Sequence, residues 1–404
     1  MPTSPPQRSA ARPPFFPRSV LPWTLAATAL LAGCQHLAPP QVYTTPALSA
    51  QPRQIQAGQS ARLSWDAPLG SSLRMSGLTA TPPGAVLVRP AQTTTYTLTG
   101  PAPSGAAISA SVTVEVQPAD APLAQLRIGD EPAGASIAAG FLGLTLDAVQ
   151  MQHAAGPAHA SYRQLLRNLQ NYGGGPLAIR SDNRLATQAR KLIAALPAGS
   201  VKLETARDAG DCPAERVYAP KGGLRCTLGQ GSETALATAD RLLDYAQGGL
   251  AGVNLQGGIW NAAATPPSAA PRYYGMLFFA QFAGAQGQWL PTQLESETHI
   301  KAWAVRDARS QTVRVALINQ DADTSGTVSV QLPQGLRQAV VTRLTTSEPL
   351  RLAGQTFDGS RDGRPVGTAY GEILDADSDG QLLLAMGANS AALLTLTPLT
   401  APAQ

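Results

Sequence analysis

Pro271-Arg272-Tyr273-Tyr274-Gly275-Met276-Leu277-Phe278-Phe279-Ala280-Gln281 opens the last third of a 404-residue chain. A proline at a permitted helix start, with Tyr274, Leu277, Phe278 and Phe282 at helical spacing, predicts a helix buried along one face. Downstream, residues 299–306, 312–319, 327–332, 338–344 and 381–386 alternate apolar and polar side chains between Asp, Gly, Ser and Pro turns. That is the pattern of an antiparallel sandwich.

Upstream, strands and helices alternate. Residues 123–128, 141–146, 177–180, 201–205 and 252–255 read as strands. Tyr162, Leu165, Leu166 and Leu169 mark one intervening helix, and Leu185, Ala189, Leu192, Ile193 and Leu196 a second. A third runs from Ala235 to Ala246, with Ser232 available as a cap and Gly248-Gly249 as a stop. Four β/α units fit into 137–283, whereas a full eight-unit barrel needs about 200 to 250 residues. This part is therefore reduced.

Six pieces in one order resemble the last barrel helix and C-terminal β domain of glycoside hydrolase family 79, the heparanase and β-glucuronidase type. They are YYGMLFFAQ (273–281), AWAVRD (302–307), VRVALINQD (313–321), VVTRL (340–344), LRLAGQTF (350–357) and NSAALLTL (389–396). The resemblance implies that 123–129 is a strand of the C-terminal β domain. By the same likeness GFLGLTLD (140–147) is similar to the first barrel strand and AIRSDN (178–183) to the second. KLET (202–205) is similar to the seventh, and AGVNLQGG (251–258) to the eighth, with Gln256 where the family often has His. Strands three to six are then missing.

The resemblance also implies chemistry. Glu204 takes the nucleophile position, although Ala206 replaces the Asn that the family pattern carries. The family's acid/base Glu follows an Asn at the end of the fourth strand, and this chain contains no Asn-Glu pair. Retaining glycosidases need two carboxyl groups about 5 to 5.5 Å apart. Asp147 and Asp182, at strand ends, are candidates for the second, with helix capping or solvated charge as their plainer roles. Asn183, Asn254, Gln256, Trp260 and Tyr273 are the candidate sugar contacts, whereas core packing explains the neighbouring Tyr274 equally well. Asp375-Ala376-Asp377-Ser378-Asp379-Gly380 begins like a calcium loop, but Met386 stands where a bidentate Glu is required. A polar turn is the better reading, and no metal or cofactor is expected.

Arg8, Arg12 and Arg18 precede an apolar run over 20–31, too short to span a bilayer and typical of a secretory leader. Leu31-Ala32-Gly33-Cys34 resembles the bacterial lipoprotein box, which implies cleavage before Cys34 and lipid on its sulfur; Gln35 favours the outer membrane. The formal charge of +4 includes those three leader arginines, so the remainder is near neutral and nucleic acid is not an indicated partner. A Pro-rich linker covers 34–45. AGQSARLSW (57–65), RPAQTTTYTLTG (89–100) and SVTVEV (111–116) resemble bacterial immunoglobulin-like modules, with Trp65 as core residue or, less simply, sugar platform. Cys212 and Cys226 are left as a disulfide or a two-thiol metal site, and an oxidising envelope favours the disulfide.

The fold class is therefore multidomain. An N-terminal all-β immunoglobulin-like sandwich (46–118) follows the leader (1–33) and linker, then a reduced (β/α) barrel-like core of about four units (123–283), then a C-terminal antiparallel β-sandwich (284–398). Expected partners are the membrane, through the lipid, and a glycan or glycoside; pairing as a homodimer would cover an exposed sheet edge. The function implied is an outer-membrane lipoprotein that binds carbohydrate with impaired or lost hydrolysis. The alternative is an active β-glucuronidase-like retaining glycosidase using Glu204.

Overall fold

The structure is a computed structural model that describes residues 46–57, 59–67, 72–75, 78–80, 84–101, 105–117, 122–155, 159–173, 176–181, 183–205, 210–212, 225–229, 233–261, 268–285 and 287–398. The leader, Cys34 and the linker lie outside these residues, as do Asp182 and Ser232.

The barrel-like core contains β1 (Leu142–Leu146), α1 (Ala148–Ala155), α2 (His159–Gly173), β2 (Leu177–Ser181), α3 (Ala186–Ala194), β3 (Val201–Thr205), β4 (Arg225–Leu228), α4 (Ala235–Gln247), β5 (Gly252–Gln256) and α5 (Pro271–Ala283). Its five strands, one more than the four expected, are all parallel and run in the order β3-β2-β1-β5-β4. The extra strand is β4, only four residues long. Thr234 caps α4 by accepting from the Ala237 amide, the role expected of Ser232.

A flat sheet of this size would set its edge strands about 19 Å apart, yet Glu204 of β3 lies 3.2 Å from Arg225 of β4. The sheet is therefore curled until its edges face each other. Beyond β3 the chain reaches the outer edge of β4, where the Cys212 amide donates to Thr227 O at 2.9 Å and the Thr227 amide to Gly210 O at 3.0 Å. The disulfide between Cys212 and Cys226 fastens this crossing. Among the described residues no strand pairs β3 with β4, so the ring is not a closed barrel.

This topology corrects one expectation. A strand in the seventh position would adjoin β5, but KLET hydrogen-bonds to β2 and its neighbour there is β4. The place beside the last strand belongs to Arg225, not Glu204.

Alternation decides the two faces of the ring. Leu142, Leu144, Leu146, Leu177, Ile179, Val253 and Leu255 point outward into one core with the helices. Helix α5 is buried on nearly every side rather than along one face, with only Pro271 exposed and Gln281 half-buried. It is apolar all round because the helices of the ring cover one side and the C-terminal sheet the other: Trp303, Ile318, Leu344 and Leu393 belong to the same core.

The C-terminal sandwich encloses a second core between its two sheets. Ala124–Ile128 lies in the smaller sheet, between Thr292–Ser296 and Gly326–Gln331. The larger sheet does not stop at the domain. Glu372–Asp375 pairs in parallel with Gly84–Pro90, Leu87 opposite Glu372, so strands of the N-terminal module complete a ten-stranded sheet. That module has its own core, with Trp65 partly buried against it. The Asp375–Gly380 segment is a polar turn: Asp377 Oδ1 accepts from the Asp379 and Gln381 amides.

Ring and sandwich are also joined by charge. Lys301 Nζ lies 2.9 Å from both Asp240 and Asp244 of α4. Burial opposes the ammonium charge, but the hydrogen bonds to Asp240 and Asp244 prevail and raise the Lys301 pKa above its ordinary value. The pair therefore stabilises fully below the ordinary lysine pKa and fades as pH rises through the raised one. Urea unfolding of Lys301→Met should show a deficit of about 1 kcal/mol near neutrality that shrinks in strong alkali. Reduction of Cys212–Cys226 should lower stability by about 3 kcal/mol, read as a drop in the urea midpoint against Cys212→Ser/Cys226→Ser as control.

Candidate functional site

The inner face of the ring carries Gly143 and Thr145 from β1, Ala178 and Arg180 from β2, Lys202 and Glu204 from β3, Arg225 and Thr227 from β4, and Gly252, Asn254 and Gln256 from β5. An eight-stranded barrel fills this space with layers of branched apolar side chains. Five strands enclose less, and here one guanidinium occupies the middle.

Arg225 donates from Nη1 and Nη2 to Gly140 O at 2.9 Å each, and from Nε to Asn254 Oδ1 at 3.0 Å. Its Nε is also 3.2 Å from Glu204 Oε2. Asn254, fully buried, donates from Nδ2 to the same carboxylate oxygen at 3.2 Å. The two inward glycines leave the room this needs. A Cβ at Gly143 would fall 1.9 Å from Asn254 Oδ1, and one at Gly252 2.0 Å from Arg225 Nη1. Across the ring, Arg180 Nη1 donates to Thr227 Oγ1 at 3.3 Å.

Burial lowers the Arg225 pKa from its ordinary value, Glu204 opposes that shift, and Arg180 adds to it. A guanidinium so placed stays charged and needs a counter-charge, because an unpaired ion in the interior is strongly destabilising. Glu204 supplies it. The carboxylate keeps 24% of its side-chain exposure, but its partners face it from inside the ring.

The other sequence candidates separate. Asp147 is a helix cap: its Oδ1 accepts from the Gln150 amide while Gln150 Oε1 accepts from the Asp147 amide, both at 2.9 Å, a reciprocal capping box at the start of α1. It is turned to its own helix. Asn183 begins a short 3-10 turn. Trp260 and Tyr273 are core residues, not sugar platforms. Trp260 is 7% exposed, and Tyr273 is fully buried, its hydroxyl donating to Leu165 O and its ring edge-on to Phe357. Tyr273, in a helix packed on all sides, has no free face to stack on a sugar.

Of the described sugar-contact side chains, Gln256 borders open space. A cavity of about 690 Å³ lies at the C-terminal mouth of the ring, bounded by Gln150, Glu233, Gln256, Gly258, Arg272, Thr346 and Glu348. It brings together the starts of α1, α4 and α5 and one turn of the C-terminal sandwich. Arg272 is buried and donates to the Gln256 carbonyl. Glu233 pairs with Arg241 at 2.7 Å, whereas Glu348 is exposed. Among the described residues no cluster of three or more His, Cys, Asp or Glu is arranged for a metal.

Arg225, Glu233 and Glu348 were not singled out from the sequence. Arg225 had a readable signal: Gly143 and Gly252 are inward positions without side chains, and such vacancies call for a large neighbour.

No known family model matches the chain, and no curated protein matches it. In structure it is similar to glycoside hydrolases. The catalytic domain of GH30 xylanase C from Talaromyces cellulolyticus shares 13% identity over 55% of this chain and 45% of its own, with a TM-score of 0.31. The GH51 arabinofuranosidase from Xanthomonas axonopodis pv. citri shares 16% over 63% of this chain and 57% of its own, at 0.33. A GH30 endoxylanase from Clostridium papyrosolvens C71 shares 9% over 68% of this chain and all of its own, at 0.40. The chain spans about half the length of the first two.

If Glu204 serves as the counter-ion of Arg225, Arg225→Met should destabilise the fold by about 3 kcal/mol, since it leaves a partly buried carboxylate unpaired. Arg225→Met/Glu204→Leu should recover at least half of that in urea unfolding. A double variant no more stable than the single one would show that the pair is not coupled.

Proposed function

We propose that this chain is a carbohydrate-binding relative of the glycoside hydrolases in which hydrolysis has been lost. The observation that carries the reading is the engagement of Glu204 by Arg225 and Asn254 inside the ring. Hydrolysis with retention requires a nucleophilic carboxylate and a second carboxyl about 5 to 5.5 Å from it. Asp147 is committed to a helix cap, and the strand from which the resembled family presents its acid has no counterpart in the sequence. What supports binding is the cavity at the mouth, large enough for one or two sugar units and edged with amide, hydroxyl and carboxylate groups that suit hydroxyl-rich ligands.

The cellular setting is part of the proposal. The charged and apolar leader and the Leu31-Ala32-Gly33-Cys34 box support a lipid anchor at the outer membrane, with the N-terminal module following a Pro-rich linker. One acyl chain gives marginal attachment, whereas several hold a protein firmly. Labelled palmitate should enter the full chain in its native host and be lost in Cys34→Ser.

For the ligand, titration calorimetry with short xylo-, arabino-, gluco- and glucurono-oligosaccharides should give saturable binding to at least one. Gln256→Ala or Glu348→Ala should weaken it about tenfold, equivalent to about 1.4 kcal/mol. Aryl β-glycosides should not turn over. Turnover abolished by Glu204→Gln would overturn the reading in favour of a Glu204 glycosidase. Turnover abolished by Glu233→Gln or Glu348→Gln, with Glu204→Gln active, would move hydrolysis to the mouth cavity.

A further inference from the structure

The seam between the N-terminal module and the C-terminal sandwich contains a second charged cluster, remote from the ring in sequence and independent of the carbohydrate reading. Glu372, with a side chain only 4% exposed, stands on a strand flanked by those bearing Arg89 and Arg343. Arg343 holds it in a forked pair, Nε to Oε1 at 2.8 Å and Nη2 to Oε2 at 3.0 Å. That uses the carboxylate well and leaves little for Arg89.

Arg89 is 12% exposed, and its bonds are long: Nη2 to Glu372 Oε1 at 3.3 Å and Nη1 to Ala385 O at 3.4 Å. Its Nε lies 3.1 Å from Glu372 Oε2 without hydrogen-bond alignment. Burial, then the Arg343 charge, push the Arg89 pKa down to about 10 against the pull of Glu372. Two guanidiniums thus share one carboxylate, and one positive charge is left over in a poorly hydrated place.

Both arginines line a cavity of about 620 Å³. Gln59 borders it from the N-terminal module, and Thr327, Thr345 and Ser390 from the sandwich. No carboxylate lines it among the described residues. Guanidiniums with spare donors, ringed by hydroxyls and amides, match a carboxylate or phosphate group on a polar body, and the space exceeds what a bare ion fills.

We propose that this seam cavity binds a small organic anion, its carboxylate or phosphate lying between Arg89 and Arg343, so that the ligand clamps the N-terminal module to the sandwich.

The test is titration calorimetry of the full chain with citrate and with inorganic phosphate, at constant ionic strength in chloride. Saturable one-site binding of either anion is expected. Citrate alone would assign a carboxylate ligand, and phosphate alone a phosphorylated one. Gln59→Glu places an acid in the cavity from an exposed position and keeps the acceptor that Gln59 offers the Gln56 amide; it should weaken binding at least tenfold with an unchanged circular dichroism spectrum. Arg343→Gln should do the same, but because it strips a buried carboxylate of its partner, Gln59→Glu is the deciding variant. No saturable heat with either anion, or equal affinity in Gln59→Glu and the parent chain, would overturn the proposal.

Discussion

Arg225 inside a five-stranded ring is the constraint on which the rest of the core depends. A ring this narrow has no volume for the layered apolar filling of a wide barrel, and an arginine set between Gly143 and Gly252 fills it with one side chain. The guanidinium then dictates its surroundings. The carbonyl of Gly140, the amide of Asn254 and the carboxylate of Glu204 satisfy its donors, and these groups come from three different strands or their approaches. Glu204 therefore draws the edge strand β3 toward β4, and the Cys212–Cys226 disulfide holds the chain where it crosses. Glu204 is thus held as a structural counter-charge between two edge strands.

With Arg225 filling the inside of the ring, the open space lies outward, at its mouth. The turn at Thr346–Glu348 of the sandwich and the start of α5 both border the mouth of the ring. Tyr273 and Tyr274 of α5 both meet Phe357 edge-on, tying the helix to the sandwich.

The sequence made the elements legible wherever apolar periodicity was strong. Most strands of the sandwich, three of the four helices between ring strands, α5 and the Cys212–Cys226 bridge could be read from pattern and spacing, whereas α1, with little apolar periodicity, and the sandwich strands Gly287–Leu290, Thr292–Ser296 and Glu372–Asp375 could not. It failed where the information was nonlocal. Arg225–Leu228 is too short and too close to glycines to announce a strand, and it becomes one because β5 lies beside it. The placement of Glu204 went wrong for the same reason: KLET has the local look of a catalytic strand, while its neighbours in space are fixed by the circular order of the sheet. Asp147 was readable, since Gln150 three residues on completes a capping box. Burial on every side of α5 was not, because it takes both the ring helices and the C-terminal sheet, far apart in the chain, to cover one helix.

The parallel seam at Leu87 and Glu372 has a kinetic side. Arg89 and Glu372 are 283 residues apart in the chain, and ribosomes add about 5 to 20 residues per second. The strand Gly84–Pro90 therefore waits roughly a quarter of a minute to a minute, as the edge of a half-finished sheet, before its partner is even made. A chain with this layout lives through that interval with an unpaired sheet edge, which makes the stretch of synthesis before Glu372, rather than the final packing, the step most exposed to aggregation.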